Sequence, residues 1–78
     1  MIKVKCFGVA REIIKSDYFE LNRSDLSVKE LRSALYESHP EFSMIKGFMI
    51  AVNQEYATDE MAITANDEVA IIPPVSGG

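Results

Sequence analysis

The sequence is short of the residues from which cross-links and metal sites are built. Its 78 residues include one cysteine, one histidine and no tryptophan. A lone cysteine excludes an internal disulfide bond, and no Cys/His cluster has the spacing of a zinc site. We therefore expect no bound metal, and the absence of disulfide bonds fits a reducing, cytoplasmic compartment.

Long apolar runs are also missing. Residues 1–7, MIKVKCF, alternate in polarity and lack the apolar core of a secretory signal. The run FMIAV at residues 48–52 is far shorter than the roughly 18 apolar residues of a membrane span. Twelve acidic and eight basic residues give a net charge of −4, which disfavours binding to phosphate backbones. We expect neither a membrane nor a nucleic acid partner, and a basic protein surface suits this chain better.

Candidate catalytic side chains have simpler structural interpretations. Gly8 and Gly47 stand alone, so the sequence holds no glycine-rich phosphate loop. Cys6 shares a strand face with apolar residues, which predicts a packed core thiol. His39 precedes Pro40 at a predicted helix end, which favours a capping role at the surface. These residues do not predict a self-contained enzyme.

Periodicity predicts one helix among several strands. Ser27 and Glu30 have the spacing of a capping box, and Leu26 with Leu31 has that of a hydrophobic staple, so the helix should begin after Ser27. Pro40 disfavours helical geometry before it, so the helix should end near residue 38. Apolar alternation and strand-forming residues predict strands at residues 2–7, 18–21, 48–52, 55–56 and 68–72, and residues 9–14 suggest a helical turn or loop.

This order of elements predicts an α+β fold with a mixed sheet and one main helix packed on one face, as in the ubiquitin-like β-grasp. Residues 1–72 should form the domain, and residues 73–78 an extended, flexible tail. The last strand, with Val69 and Ile71 on one side and Ala70 and Ile72 on the other, is apolar on both faces. Two interpretations remain open: a central strand, or an exposed apolar patch that binds another protein.

The sequence finishes with PPVSGG. Pro73 and Pro74 lack amide donors, so they end the sheet and favour an extended segment. Gly77 and Gly78 have no side chains, so they could pass through a narrow channel and bring the terminal carboxylate to a catalytic centre. A frayed terminus is the alternative interpretation.

Three segments together carry a family resemblance: DEVAIIPPVSGG at the end, AVNQ upstream, and FGVAREI after the first strand. The chain resembles, along its whole length, the small sulfur-carrying subunits of molybdopterin synthases. Asn66 departs from this pattern, because such proteins often have glycine there. Asparagine tolerates left-handed geometry, so we expect the departure to matter little.

The resemblance implies a reaction cycle and a set of partners. An ATP-dependent activating enzyme would adenylate Gly78, and sulfur would replace the adenylate to give a thiocarboxylate, with no tightly bound cofactor. The tail, formed by Pro73, Pro74, Val75, Ser76 and Gly77, would carry this group into the large synthase subunit. Two small and two large subunits would form a heterotetramer that sulfurates cyclic pyranopterin monophosphate.

We further expect the uncovered sheet face to dock on the large subunit through Phe7 and Ile72. Two alternative functions use the same tail. One is the sulfur carrier of thiamine-thiazole synthesis, against which the proline pair and AVNQ argue. The other is a ubiquitin-like modifier that forms isopeptide bonds with lysines of target proteins.

Overall fold

The computed structural model describes residues 1–45 and 47–74, which form a mixed five-stranded sheet, a two-stranded sheet and two helices. The strands are β1 (Ile2–Cys6), β2 (Tyr18–Leu21), β3 (Asp25–Ser27), β4 (Met49–Val52), β5 (Glu55–Tyr56), β6 (Ala62–Thr64) and β7 (Val69–Ile72). The helices are α1 (Gly8–Ile14) and α2 (Val28–Ser38), and a 3-10 turn covers Pro40–Met44.

The larger sheet has the strand order β2-β1-β7-β4-β5. β1 and β7 run parallel, and the other neighbours in this sheet are antiparallel. β7 therefore lies between two strands, which confirms the central-strand interpretation of its two apolar faces. The mixed sheet with one main helix confirms the predicted α+β, β-grasp arrangement.

Helix α2 begins where the sequence predicts. The Ser27 hydroxyl accepts a hydrogen bond from the Glu30 amide at 3.1 Å, and the Glu30 carboxylate accepts one from the Ser27 amide at 2.8 Å. This pair is a complete capping box. The bond from the Ser27 amide lowers the pKa of Glu30, because it favours the ionised carboxylate.

The core lies between α2 and one face of the larger sheet. From α2, Val28, Leu31 and Leu35 are fully buried, and from β7, Val69 and Ile71 are buried. Further core side chains come from other strands, from the 3-10 turn and from the residue before β4: Ile2, Val4, Ile50, Ile63, Phe42 and Phe48. Because α2 covers this face alone, the opposite face of the sheet, called the outer face below, is left open.

The smaller sheet differs from the prediction. No strand is predicted directly before the main helix or at residues 62–64, yet Asp25–Ser27 forms β3 and pairs with β6, Leu26 lying opposite Ile63. Three-residue strands are too short to establish a period, so only the tertiary pairing defines them. Within this pair Ile63 is fully buried, whereas Met61, just before β6, is 40% exposed.

Two turns involve asparagine. Asn53 and Gln54 have φ angles of 53° and 71°, the positive values required by the tight turn predicted between β4 and β5. Asn66 is not among the positive-φ residues of the described chain, so the left-handed tolerance expected of it is not used.

Candidate functional site

Side chains alternate between the two faces of the sheet, and every second residue of β4 and β7 therefore lies on the outer face. Along β7, Val69 and Ile71 point into the core, while Ala70 and Ile72 are half-buried on the opposite side. On β4, Ala51 lies opposite Ala70, and Met49 lies opposite Ile72. The outward residues of these central strands are therefore apolar, as the exposed-patch interpretation requires, while the binding of another protein there stays a prediction.

A shallow groove of about 290 Å³ runs across this face. Its floor contains Ala51 and Ala70, which are direct neighbours across the β4–β7 ladder. Two small side chains side by side leave a depression between bulkier neighbours. The remaining lining residues are Phe7, Gln54, Tyr56, Glu68 and Ile72.

Phe7 and Ile72, the predicted interface residues, both line this groove. Phe7 lies between β1 and α1, and its side chain is 42% exposed. The Lys5 ammonium lies 5.3 Å from the centroid of the Phe7 ring, within the range of a cation–π contact. The structure thus brings together Phe7 and Ile72, the two side chains that were predicted to form the interface. It also places beside them the Lys5 ammonium, which was not predicted to take part.

The tail begins at the end of this groove. Ile72 is the last residue of β7, and Pro73 follows it, half-buried. Gly8 has a φ of 53°, and a Cβ atom built on it would lie 3.2 Å from Cγ of Pro73. Both the backbone geometry and the close approach therefore favour glycine at this position.

The rest of the predicted tail lies outside the described residues, namely Val75, Ser76, Gly77 and Gly78. Pro74 is described and exposed. The roles assigned to these residues remain predictions.

A network of polar hydrogen bonds lies at the end of the groove near Gln54 and Glu68. The Asn53 side-chain oxygen accepts a hydrogen bond from the Glu68 amide at 2.9 Å, and its side-chain nitrogen donates one to Asp67 at 3.0 Å. The Asp67 carboxylate also accepts from the Thr64 amide at 2.7 Å. The bond from the Thr64 amide, and after it the bond from the Asn53 side chain, lower the pKa of Asp67 because they favour its ionised form. The bonds of Asn53 to Asp67 and Glu68 also link the β4–β5 turn to the start of β7.

Cys6 and His39 occupy structural positions. Cys6 is buried in the core, as predicted, and burial raises the pKa of its thiol, which disfavours the reactive thiolate. The backbone amide of His39 donates to the Leu35 carbonyl at the end of α2, as a cap does. Its ring is half-buried rather than fully exposed, because it packs edge-on against Phe19 and Phe42.

The described residues hold no group of three or more potential metal ligands. Within residues 1–45 and 47–74, neither helix has the length and apolar character that crossing a membrane requires.

A second, more open hollow of about 670 Å³ lies beside α1, where Arg11 and Asp17 form an ion pair at 2.7 Å. Both side chains of that pair are 64% exposed, so it is a solvated surface contact.

Sequence reasoning did not assign four of the groove residues, Ala51, Gln54, Tyr56 and Glu68, and it did not place the Lys5 ammonium beside the groove. The outward position of Ala70 was readable from the alternation in β7. Its pairing with Ala51 was not, because that contact depends on β4 lying next to β7 in the sheet.

Comparison with known proteins gives full-length relatives. Residues 4–78 match the model of the ThiS family. The molybdopterin synthase sulfur carrier subunit of Chlamydomonas reinhardtii is 39% identical, with 99% of this chain and 98% of that protein covered. The subunit of the same name from Escherichia coli is 32% identical, with both chains fully covered.

Solved structures also match the chain over almost its whole length. SAMP1 from Haloferax volcanii superimposes with a TM-score of 0.79 at 30% identity, covering 99% of this chain and 98% of that one. A protein–protein complex of subunits 1 and 2 of the molybdopterin-converting factor from Helicobacter pylori contains a chain that matches with a TM-score of 0.67 at 27% identity, over 99% and 97% of the two chains. The chain therefore belongs to the ThiS family, in the group of the molybdopterin synthase sulfur carrier subunits.

Proposed function

We propose that this protein carries sulfur in molybdenum cofactor biosynthesis, as the small subunit of molybdopterin synthase. The observation that carries the proposal is the end-to-end similarity to proteins named as that subunit. The sequence identity is 39% to the protein of Chlamydomonas reinhardtii and 32% to that of Escherichia coli. The Gly77–Gly78 end supplies a terminal carboxylate without neighbouring side chains.

The reactive atom in this proposal is the terminal carbon of Gly78. Its carboxylate attacks the α-phosphate of ATP on an activating enzyme, and pyrophosphate leaves. The terminal sulfur of a persulfide donor displaces AMP, and a thiol then cleaves the resulting acyl disulfide to release the thiocarboxylate. The thiocarboxylate sulfur attacks cyclic pyranopterin monophosphate, and water returns Gly78 to a carboxylate. Two such transfers form the dithiolene.

The large subunit would supply the acid and base groups for this chemistry, since the side chains described here include no candidate set. Docking through the outer face would place Phe7 and Ile72 in the interface, and Pro73 to Gly77 would lead Gly78 into the partner. The Helicobacter pylori complex supports a two-subunit assembly for a protein of this shape. We propose two copies of each subunit.

Intact mass of the protein purified from cells with the sulfuration pathway tests the proposal. We expect a fraction of molecules in which one oxygen is replaced by sulfur, and fragmentation should place that sulfur on Gly78. Cys6→Ala should retain the modification, and a variant lacking Gly78 should lose it. Sulfur attached only to Cys6 would contradict a terminal carrier.

A second candidate function is the covalent modification of other proteins. It is favoured by one observation, the similarity to SAMP1, which is described as a small archaeal modifier protein. That function uses the same activated Gly78 but ends in an isopeptide bond. Adducts of higher mass that contain this chain, and that disappear when Gly78 is deleted, would support it. A pterin product formed with a copurifying large subunit supports the synthase.

A further inference from the structure

We propose that the groove of the outer face is a socket for one large apolar side chain of the large subunit, and that this subunit places a carboxylate beside Lys5. The inference rests on the proposed function and specifies how the partner is recognised.

The socket arises from small residues at the centre of the sheet. Ala51 and Ala70 are Cα partners, and both side chains point to the outer face. Phe7, Tyr56 and Ile72 surround them, and Tyr56 is itself 68% exposed. An apolar depression with aromatic walls near the centre of a docking face is the setting in which single anchor residues contribute most of the binding energy.

Lys5 gives the socket a charged rim. In the sheet it lies between Tyr18 on β2 and Ala70 on β7, and its ammonium reaches over the Phe7 ring. Lys3, two residues earlier, lies 3.8 Å from the Glu20 carboxylate, whereas Lys5 has no ion pair within residues 1–45 and 47–74. A partner that covers Phe7 therefore desolvates this cation, and a carboxylate on the partner would offset the cost of that desolvation.

The local charge runs against the charge of the whole chain. A net charge of −4 favours a partner that is basic elsewhere, so a carboxylate opposite Lys5 would be a distinct feature of the cognate surface. Glu68 lines the groove with the opposite charge. The two charges differ in sign, so a partner with complementary groups docks in one orientation.

Continuity with the tail identifies the occupant as the large subunit. Ile72 lines the groove, and Pro73 follows it directly as the first residue of the tail. A protein that receives Gly78 at a reaction centre must approach the end of β7, where it also covers the socket. The same surface is therefore positioned to orient the subunit that accepts the sulfur.

Two substitutions test the socket and its rim in the full chain, in its carboxylate form, with purified large subunit. Ala70→Leu fills the depression from within, and Ala62→Leu adds the same side chain to an exposed strand position outside the groove. Lys5→Glu reverses the charge at the rim of the socket. Lys29→Glu is its control, because it makes the same charge change at an exposed position of α2. We expect Ala70→Leu to weaken binding at least tenfold, and Lys5→Glu to slow association at low salt, with both controls near the parent.

Circular dichroism checks that each variant folds, and Ala70→Val replaces Ala70→Leu if the latter does not. Parent-like affinity of the folded Ala70 variant, or an equal loss in Ala62→Leu, would overturn the socket. Faster association of Lys5→Glu would overturn the acidic partner group. Loss of a self-associated form by Ala70→Leu, at unchanged affinity for the large subunit, would assign the groove to a second copy instead. Thiocarboxylate on Gly78 in these same variants shows that the carrier function stands independently.

Discussion

Replacing Phe7 with alanine measures how much the outer face contributes to docking. The Phe7 side chain is 42% exposed in the free protein. If docking buries that fraction of a ring of about 200 Å², about 80 Å² of apolar surface leaves water. At about 25 cal/mol/Å² this corresponds to about 2 kcal/mol, or about a 30-fold weaker Kd for Phe7→Ala. Phe7→Glu should cost more, because docking would also desolvate an unpaired carboxylate.

The assay is titration of purified large subunit with each variant, together with thermal unfolding of the free protein. Tyr36→Ala is a matched control, because Tyr36 is 40% exposed and lies on α2, on the covered side of the sheet. We expect Tyr36→Ala to bind like the parent, although it loses a ring contact with Phe48 at 5.9 Å and some stability with it. Phe7→Ala should instead bind the large subunit more weakly while keeping a melting temperature near that of the parent.

Two results would refute this reasoning. An unchanged Kd for Phe7→Ala would mean that Phe7 faces solvent in the complex, so the docking face has been wrongly assigned. A loss of binding that follows a loss of folding, with the melting temperature falling as far as for a core substitution, would mean that Phe7 acts through stability. Only weaker binding at a parent-like melting temperature supports the assignment.

Two further predictions concern the tail and the turn network. Adding one alanine after Gly78 should stop sulfur transfer but leave folding intact, because about 3.5 Å of extra chain exceeds the tolerance of a reacting geometry; normal pterin turnover, with the added residue still attached by mass, would contradict this. The lowered pKa of Asp67 implies stability that is present above its unfolded value of 3.8 and is lost as pH falls below it. Asp67→Asn should therefore flatten the acid-side decline in melting temperature without abolishing it, since the lowered pKa of Glu30 acts in the same direction, and a slope equal to that of the parent would count against this role.

The features that were predictable from the sequence depend on nearby residues. The Ser27–Glu30 capping box spans three positions, and the Asn53–Gln54 turn spans two, so residue type alone specifies their geometry. The burial of Cys6 followed from the alternation of β1 for the same reason.

The features that were missed depend on contacts between distant segments. β3 and β6 each have three residues and are defined by their pairing, in which Leu26 meets Ile63. His39 was expected at the surface, yet its ring contacts Phe19 from β2 and Phe42 from the 3-10 turn. The socket likewise needs Ala51 and Ala70 to become neighbours, which only the order of strands in the sheet determines.

The arrangement of groove and tail links recognition to delivery through a few adjacent residues. Gly8 follows Phe7 directly, and its positive φ and missing side chain permit the close approach of Pro73. Pro73 in turn fixes the first step of the tail, because its ring restricts φ and the residue lies half-buried against the domain. Any partner that binds Phe7 therefore meets the tail at a defined point of exit. Under the proposed function the domain only has to hold this geometry, and the chemistry would be confined to the terminal carboxyl group of Gly78, which the partner would receive.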